Sequence, residues 1–196
     1  MITALFVQTN GAYFGVEGID PWDEARDARL YEGNDPVIAH PPCARWCRLA
    51  KFVEKVYGHK VGDDSGCFAS ALANVIRCKG VLEHPAHTLA WAAHGMTKPG
   101  KSGWTPGHVP GSWVCEVEQG HYGHRARKAT WLFVVSDAKP AELVWGPSRA
   151  VGVVISCTRL QDGTFKRPKE RMSKKERDAT PPAFKEVLLN LARSVK

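Results

Sequence analysis

A thiol on a stiff loop is the first group in this chain that could do chemistry. His40-Pro41-Pro42-Cys43-Ala44-Arg45-Trp46-Cys47 follows the apolar run Pro36-Val37-Ile38-Ala39. Proline fixes its own φ and pushes the residue before it into extended geometry. A strand that ends in two prolines and a cysteine therefore holds Cys43 in one place at a sheet edge, at little entropic cost. A thiol held this way suits nucleophilic attack, and basic neighbours would favour the thiolate. A carboxyl group, Glu83, ends a second apolar run, Gly80-Val81-Leu82-Glu83, forty residues on. Its apolar neighbours Val81 and Leu82 predict a raised pKa, as a general acid requires. A basic cluster, His121-Tyr122-Gly123-His124-Arg125-Ala126-Arg127-Lys128, leads into a third run, Trp131–Val135.

These groups have to be positioned by a layered fold. Short apolar runs alternate with amphipathic ones, which predicts an α/β sheet with flanking helices. Strands are expected at Thr3–Gln8, Val37–Ala39, Gly80–Glu83, Trp113–Val117, Trp131–Val135 and Val151–Ser156. Helical composition or spacing covers Asp23–Tyr31, Ala44–Tyr57, Ser65–Cys78, Pro85–His94 and Pro182–Ser194. Asp63 or Asp64 stands where it can cap the third of these helices, and Thr180 lies near the cap of the last. The proline- and glycine-rich stretch Met96–Gly111 reads as a loop. Ligands of open α/β sheets bind at the carboxyl ends of strands. Cys43, Glu83, Arg125 and Arg127 all lie near such an edge, so convergence on one rim is expected.

Composition narrows the partners. The 196 residues are 43% hydrophobic and 24% charged, which suits one soluble domain with a sizeable core. No apolar run approaches the roughly 18–20 residues that cross a bilayer. Met1–Val7 reads as a first strand and not as a signal peptide. Six scattered cysteines read as the reduced thiols of an intracellular, cytoplasmic protein. The net charge is +7, and residues 158–196 carry eleven Lys/Arg against five Asp/Glu. Basic clusters with aromatic neighbours point to a phosphate backbone, hence to a nucleic-acid partner.

Read in order, these features resemble the DNA cytosine-5 methyltransferases. That family carries a Pro-Cys loop after a strand, here Pro42-Cys43, followed by an aromatic and a small polar residue, here Trp46-Cys47. It then has a strand ending in the glutamate of Glu-Asn-Val, here Val81-Leu82-Glu83-His84-Pro85. A Gln-x-Arg-x-Arg motif before an apolar strand corresponds to Arg125-Ala126-Arg127-Lys128-Ala129. Leu5-Phe6 and Asp20-Pro21-Trp22-Asp23 look like a shortened opening of the cofactor half. Short phage-encoded relatives with a Pro-Pro-Cys loop are the nearest in character.

The resemblance implies a Rossmann-like, S-adenosylmethionine-methyltransferase-like sheet, shortened at its N-terminus, and a basic segment over residues 158–196. It implies Cys43, Glu83 and Arg127 as catalytic groups, with Arg125, Arg45, Trp46 and Lys128 on the substrate. Phe6, Asp20, Trp22 and Pro41 would serve S-adenosylmethionine. The substrate would be DNA, single-stranded or with a flipped-out base, with a protein partner able to supply sequence specificity. In that chemistry the Cys43 thiolate adds to carbon 6 of cytosine, Glu83 meets ring nitrogen 3, and carbon 5 takes a one-carbon group. The chain departs from the family in three places. Phe6-Val7-Gln8-Thr9-Asn10-Gly11 replaces the Phe-x-Gly-x-Gly turn, His84-Pro85 follows the glutamate, and Ala129 stands at the second arginine. Two other classes stay open: a non-catalytic nucleic-acid-binding relative, and a zinc protein using His40, Cys43, Cys47 and His84 or His87.

Overall fold

The computed structural model describes residues 1–100, 102–152, 158–159, 165–166 and 172–195. Seven strands form one mixed sheet: β1 (Ile2–Leu5), β2 (Ile19–Trp22), β3 (Val37–Ala39), β4 (Gly80–Pro85), β5 (Thr105–Pro106), β6 (Ser112–Glu118) and β7 (Ala129–Val135). The spatial order is β2-β1-β3-β4-β7-β6-β5. The first four strands are mutually parallel, and β7, β6 and β5 continue the sheet antiparallel. The helices are α1 (Ala50–Tyr57), α2 (Cys67–Cys78), α3 (Leu89–Ala93), α4 (Lys174–Asp178) and α5 (Pro182–Arg193). The expected α/β class is what the chain adopts, and its parallel half is compatible with a Rossmann-like arrangement.

Side chains alternate across a strand, so each strand feeds two cores. Val37, Ala39, Leu82 and Phe133 face Phe68, Leu72 and Val75 of α2 and Trp91 of α3. Ile38, Val81, Leu132 and Val134 face Phe184, Leu188 and Leu189 of α5. The short β3 is buried on both sides, with Val37, Ile38 and Ala39 fully covered, and it therefore reads as an unbroken apolar run. Gly80 lets β4 start against β3. Its φ is +126°, and a Cβ there would stand 2.0 Å from the Val37 carbonyl oxygen, so only glycine fits.

Several expected elements are shorter or fall elsewhere, each for a local reason. The helix expected over Ala44–Tyr57 forms only from Ala50. The Trp46 carbonyl, which would accept from Ala50 in a continuous helix, accepts instead from Leu89 N (2.8 Å) and Thr88 Oγ1 (3.3 Å). Asp23–Tyr31 yields a single 3-10 turn, Ala28–Leu30, because Asp27 is left-handed (φ 49°) and accepts from Arg29 N. The helix after Glu83 begins at Leu89, since Ala86 still donates to Ala129 O (2.9 Å) and His87 has φ 61°. Thr88 caps that helix through Ala90 N. The expected Asp64 cap is present: its carboxylate accepts from Gly66 N (3.0 Å) and Phe68 N (2.8 Å). Pro181, not Thr180, occupies the N-cap of α5.

Two strands of this sheet were not expected. These are β2 and the two-residue β5 inside the Met96–Gly111 stretch. Of the strand expected over Val151–Ser156, Gly152 bridges Ala126, and the remainder from 153 lies outside the described residues. No helix among the described residues is long and apolar enough to cross a membrane.

Candidate active site

The groups singled out in the sequence occupy one edge of the sheet. Because β1 to β4 are parallel, their carboxyl ends share that edge, and the antiparallel β7 begins there. Cys43 lies four residues past β3, Glu83 is inside the end of β4, and Lys128 immediately precedes β7. The convergence expected from sequence therefore holds for the backbone. Their side chains then divide between two sides.

Glu83 is held by hydrogen bonds from two distant segments. His40 Nδ1 donates to its Oε2 (3.0 Å), and Gln119 Nε2 donates to its Oε1 (3.2 Å). His40 is fixed in turn, its Nε2 accepting from the Tyr13 hydroxyl at 2.8 Å with the rings 5.4 Å apart. This pattern assigns the His40 tautomer, with the proton on Nδ1. Gln119 also donates to Thr130 Oγ1 (3.0 Å). Burial alone would push the Glu83 carboxyl up. The His40 hydrogen bond and ring, with the Lys128 ammonium, outweigh it and hold the pKa below the usual carboxylate value. This corrects the raised pKa expected from Val81 and Leu82. Those neighbours supply the desolvation, but hydrogen-bond donors to the ionised form oppose it. Glu83 is a carboxylate at neutral pH.

The exposed Cys43 thiol stands within electrostatic reach of Glu83, Asp178 and Lys128. Loss of water on its protein side, then the Glu83 and Asp178 charges, push its pKa up. The expected basic surroundings are thus outweighed by two carboxylates. Lys128 is the nearby cation. Its pKa is lowered by burial, which the Glu83, Asp178 and Cys43 charges oppose. Its ammonium donates to the Ala179 carbonyl (2.9 Å), tying the segment after α4 to the rim. Beside Cys43 opens a cleft of about 170 Å3, walled by Cys47, Arg48, Leu49, His84, Pro85 and Thr88. His84 is buried between Phe68 and Trp91 (ring centroids 5.2 and 6.3 Å away), and its burial drops the pKa to about 4.

Arg127 turns to the other side. Its Nε and Nη2 hold Glu118 at 2.8 and 2.6 Å. That pair lines a second cleft, about 360 Å3, with His87, Lys98 and Glu116. Lys128 has φ 41°, so consecutive residues serve opposite sides, and the cation beside Cys43 and Glu83 is Lys128 and not Arg127. Arg125 is ion-paired with Glu176 of α4 (3.3 Å). Trp46, expected on substrate, is a core residue: it is buried and its Nε1 donates to Asp64 (2.8 Å). Arg45 stays near the surface on the Cys43 loop and makes no ion pair among the described residues.

The residues proposed for S-adenosylmethionine lie at the ends of β1 to β3, but their polar groups are already used. Asp20 is ion-paired with Arg26 and accepts from Trp22 Nε1 (2.8 Å). Arg26 covers one Trp22 face at 4.1 Å, and Tyr31 meets that ring edge-on. Phe6 takes φ 58° and packs on the α2-side core, and Pro41 is buried. No helix runs between β1 and β2 to offer its N-terminus to a ligand. As arranged, these side chains do not present the open carboxylate and aromatic face that the nucleoside would need.

Among the described residues no three His, Cys, Asp or Glu converge to hold a metal ion. The five described cysteines are free, and Cys157 lies outside the described residues. Lys128, expected on the substrate, stands beside Cys43 and Glu83, whereas His40, Gln119 and Tyr13 were missed as parts of this site. His40 is legible as the residue that follows β3, three positions before the thiol. Gln119 and Tyr13 reach Glu83 only through tertiary folding. Comparison with protein-family models, curated proteins and solved structures finds no match to this chain.

Proposed function

We propose that this protein modifies carbon 5 of a pyrimidine, as a DNA cytosine-5 methyltransferase-like enzyme, by covalent addition of Cys43 to carbon 6. One observation carries the reading. A thiol and a hydrogen-bonded carboxylate sit at the carboxyl ends of adjacent parallel strands, within electrostatic reach of each other and of Lys128. Carbon 5 of cytosine is a poor nucleophile until a nucleophile saturates carbon 6. The Cys43 thiol passes its proton to the ionised Glu83, and the sulfur bonds to carbon 6. The protonated Glu83 then faces ring nitrogen 3 and drains charge as the enamine forms. Lys128 stabilises the anionic stages. Carbon 5 accepts an electrophile, its proton leaves, and the carbon–sulfur bond breaks to restore Cys43.

S-adenosylmethionine is the one-carbon donor the resemblance implies. Asp20 and Trp22 are engaged with each other and with Arg26, Phe6 packs on the core and Pro41 is buried, so no step is assigned to it. The addition is testable without a donor. In heavy water, addition, deuteration of carbon 5, loss of the original proton and expulsion of Cys43 exchange the carbon 5 hydrogen. Mass spectrometry should find deuterium in cytosine of an incubated oligonucleotide, and Cys43→Ala should reduce it to background, a loss of about a thousandfold or more. Undiminished exchange in Cys43→Ala would overturn the mechanism.

The raised Cys43 pKa and the internally paired Asp20 favour a second reading, a nucleic-acid-binding relative without catalysis. Binding of the oligonucleotide with no exchange in the native protein selects it.

A further inference from the structure

The helix next to the thiol buries almost nothing. Of α1, only Ala50 is buried. Leu49, Phe52, Val56 and Tyr57 are 50, 61, 51 and 68% exposed. They are four of the nine large hydrophobic residues exposed among the described residues, gathered within nine positions. Scattered single exposures are ordinary, but a cluster of this kind marks a binding surface. Leu49, Phe52 and Val56 stand at i, i+3 and i+7, which sets them in one row. Lys51 and Lys55 stand one residue before Phe52 and Val56, which sets two cations beside the apolar row, and Arg48 adds a third from the turn before the helix. None of these three, nor Arg45, is ion-paired among the described residues. Each row is about 10 Å long at the α-helical rise. Both begin at the reactive site, because Arg48 and Leu49 line the cleft that Cys43 and Cys47 share.

A row of apolar and aromatic groups beside a row of cations matches a chain with flat unpaired rings along one side and anionic links along the other. We infer that α1 is a docking platform for single-stranded nucleic acid, with an unpaired base on Phe52 and phosphates along Arg48, Lys51 and Lys55. A duplex keeps its base faces stacked inside and would leave the apolar row uncovered. The substrate of Cys43 is then a polymer with its target base already unpaired, and not a free nucleotide. This rests on the reading of Cys43 as the reacting group only for that last step.

The test is fluorescence anisotropy with a short labelled cytosine-containing oligonucleotide, single-stranded and as its duplex. The native protein should bind the single strand at least about tenfold tighter than the duplex, with affinity falling as salt rises. Phe52→Ala should cost about tenfold in single-strand affinity, and the pair Lys51→Glu, Lys55→Glu should abolish binding. All three positions are exposed, and circular dichroism should be unchanged. Equal binding of both forms with no effect of Phe52→Ala overturns the platform. Binding to mixed phosphatidylcholine–phosphatidylserine vesicles, lost in Phe52→Ala while oligonucleotide binding persists, overturns it in favour of a membrane surface. Exchange on free nucleotide without strand binding removes the platform and leaves the chemistry, and strand binding through α1 without exchange does the reverse.

Discussion

Two stretches of the same sheet edge are built in opposite ways. At the ends of β1 and β2, charged and polar groups pair mostly with near neighbours in sequence: Asp20 with Arg26, Trp22 with Asp20, Asp27 with Arg29. At the ends of β3 and β4, Glu83 is reached from His40 and Gln119, and Lys128 reaches across to Ala179. The first edge is closed by local turns and needs little of the fold to exist. The second exists only when four distant segments meet, and it leaves a thiol and a cleft open. Long-range construction around an exposed nucleophile is where a fold spends stability on function. The contrast favours the Cys43 edge over the β1–β2 end as the place for the proposed chemistry.

Breaking the constructed edge should have the largest effect. Glu83→Gln keeps the shape and removes the charge, and the carbon 5 exchange rate should fall by about 100-fold or more. A fall below about threefold would make Glu83 a structural partner of His40 only. The buried His84 gives the next effect. Its folded pKa of about 4 lies below the unfolded value, so the unfolded chain binds more protons between the two. Stability from its neutral burial is complete above pH ~6.5 and is lost as pH falls through about 4, a change on the order of 3 kcal/mol. Urea unfolding across that window should show the slope, and His84→Phe should flatten it.

Asp178 tests the coupling between the C-terminal segment and the rim. Asp178→Asn removes one of the charges that raise the Cys43 pKa, so the midpoint of iodoacetamide alkylation against pH should move down. An unmoved midpoint would separate α4 from the site. The smallest effect belongs to the local edge. Arg26→Ala should change stability by less than about 1 kcal/mol, because the Arg26–Asp20 pair is largely exposed. Calorimetry with S-adenosylmethionine on this variant sharpens the comparison: heat of binding seen there and not in the native protein would mean that Arg26 alone occupies the nucleoside's place.

The parallel half of the fold was legible because β3 and β4 are apolar on both faces and bounded by glycine and proline. Cys43 and Glu83 were legible because strand ends carry function in this architecture. Helix starts were less so. Nothing local to Ala44–Leu49 says that the Trp46 carbonyl will be taken by Leu89, and that bond decides where α1 begins. The choice between Arg127 and Lys128 was equally hidden. Two adjacent cations look alike in sequence, and a positive φ at the second decides which side each serves. The pKa direction at Glu83 failed for the same reason, since the groups that oppose its desolvation, His40 and Lys128, come from residues far along the chain.

Trp46 joins three segments at once: its indole donates to Asp64 at the start of α2, and its carbonyl accepts from Thr88 and Leu89 at the start of α3. A residue tied this way cannot release one segment and keep the others. The cysteine loop and the first turns of α2 and α3 therefore open as a single cooperative unit. In native-state hydrogen exchange the amides of Phe68 and Leu89 should share one opening free energy, and a ligand bound beside Cys43 should slow both together.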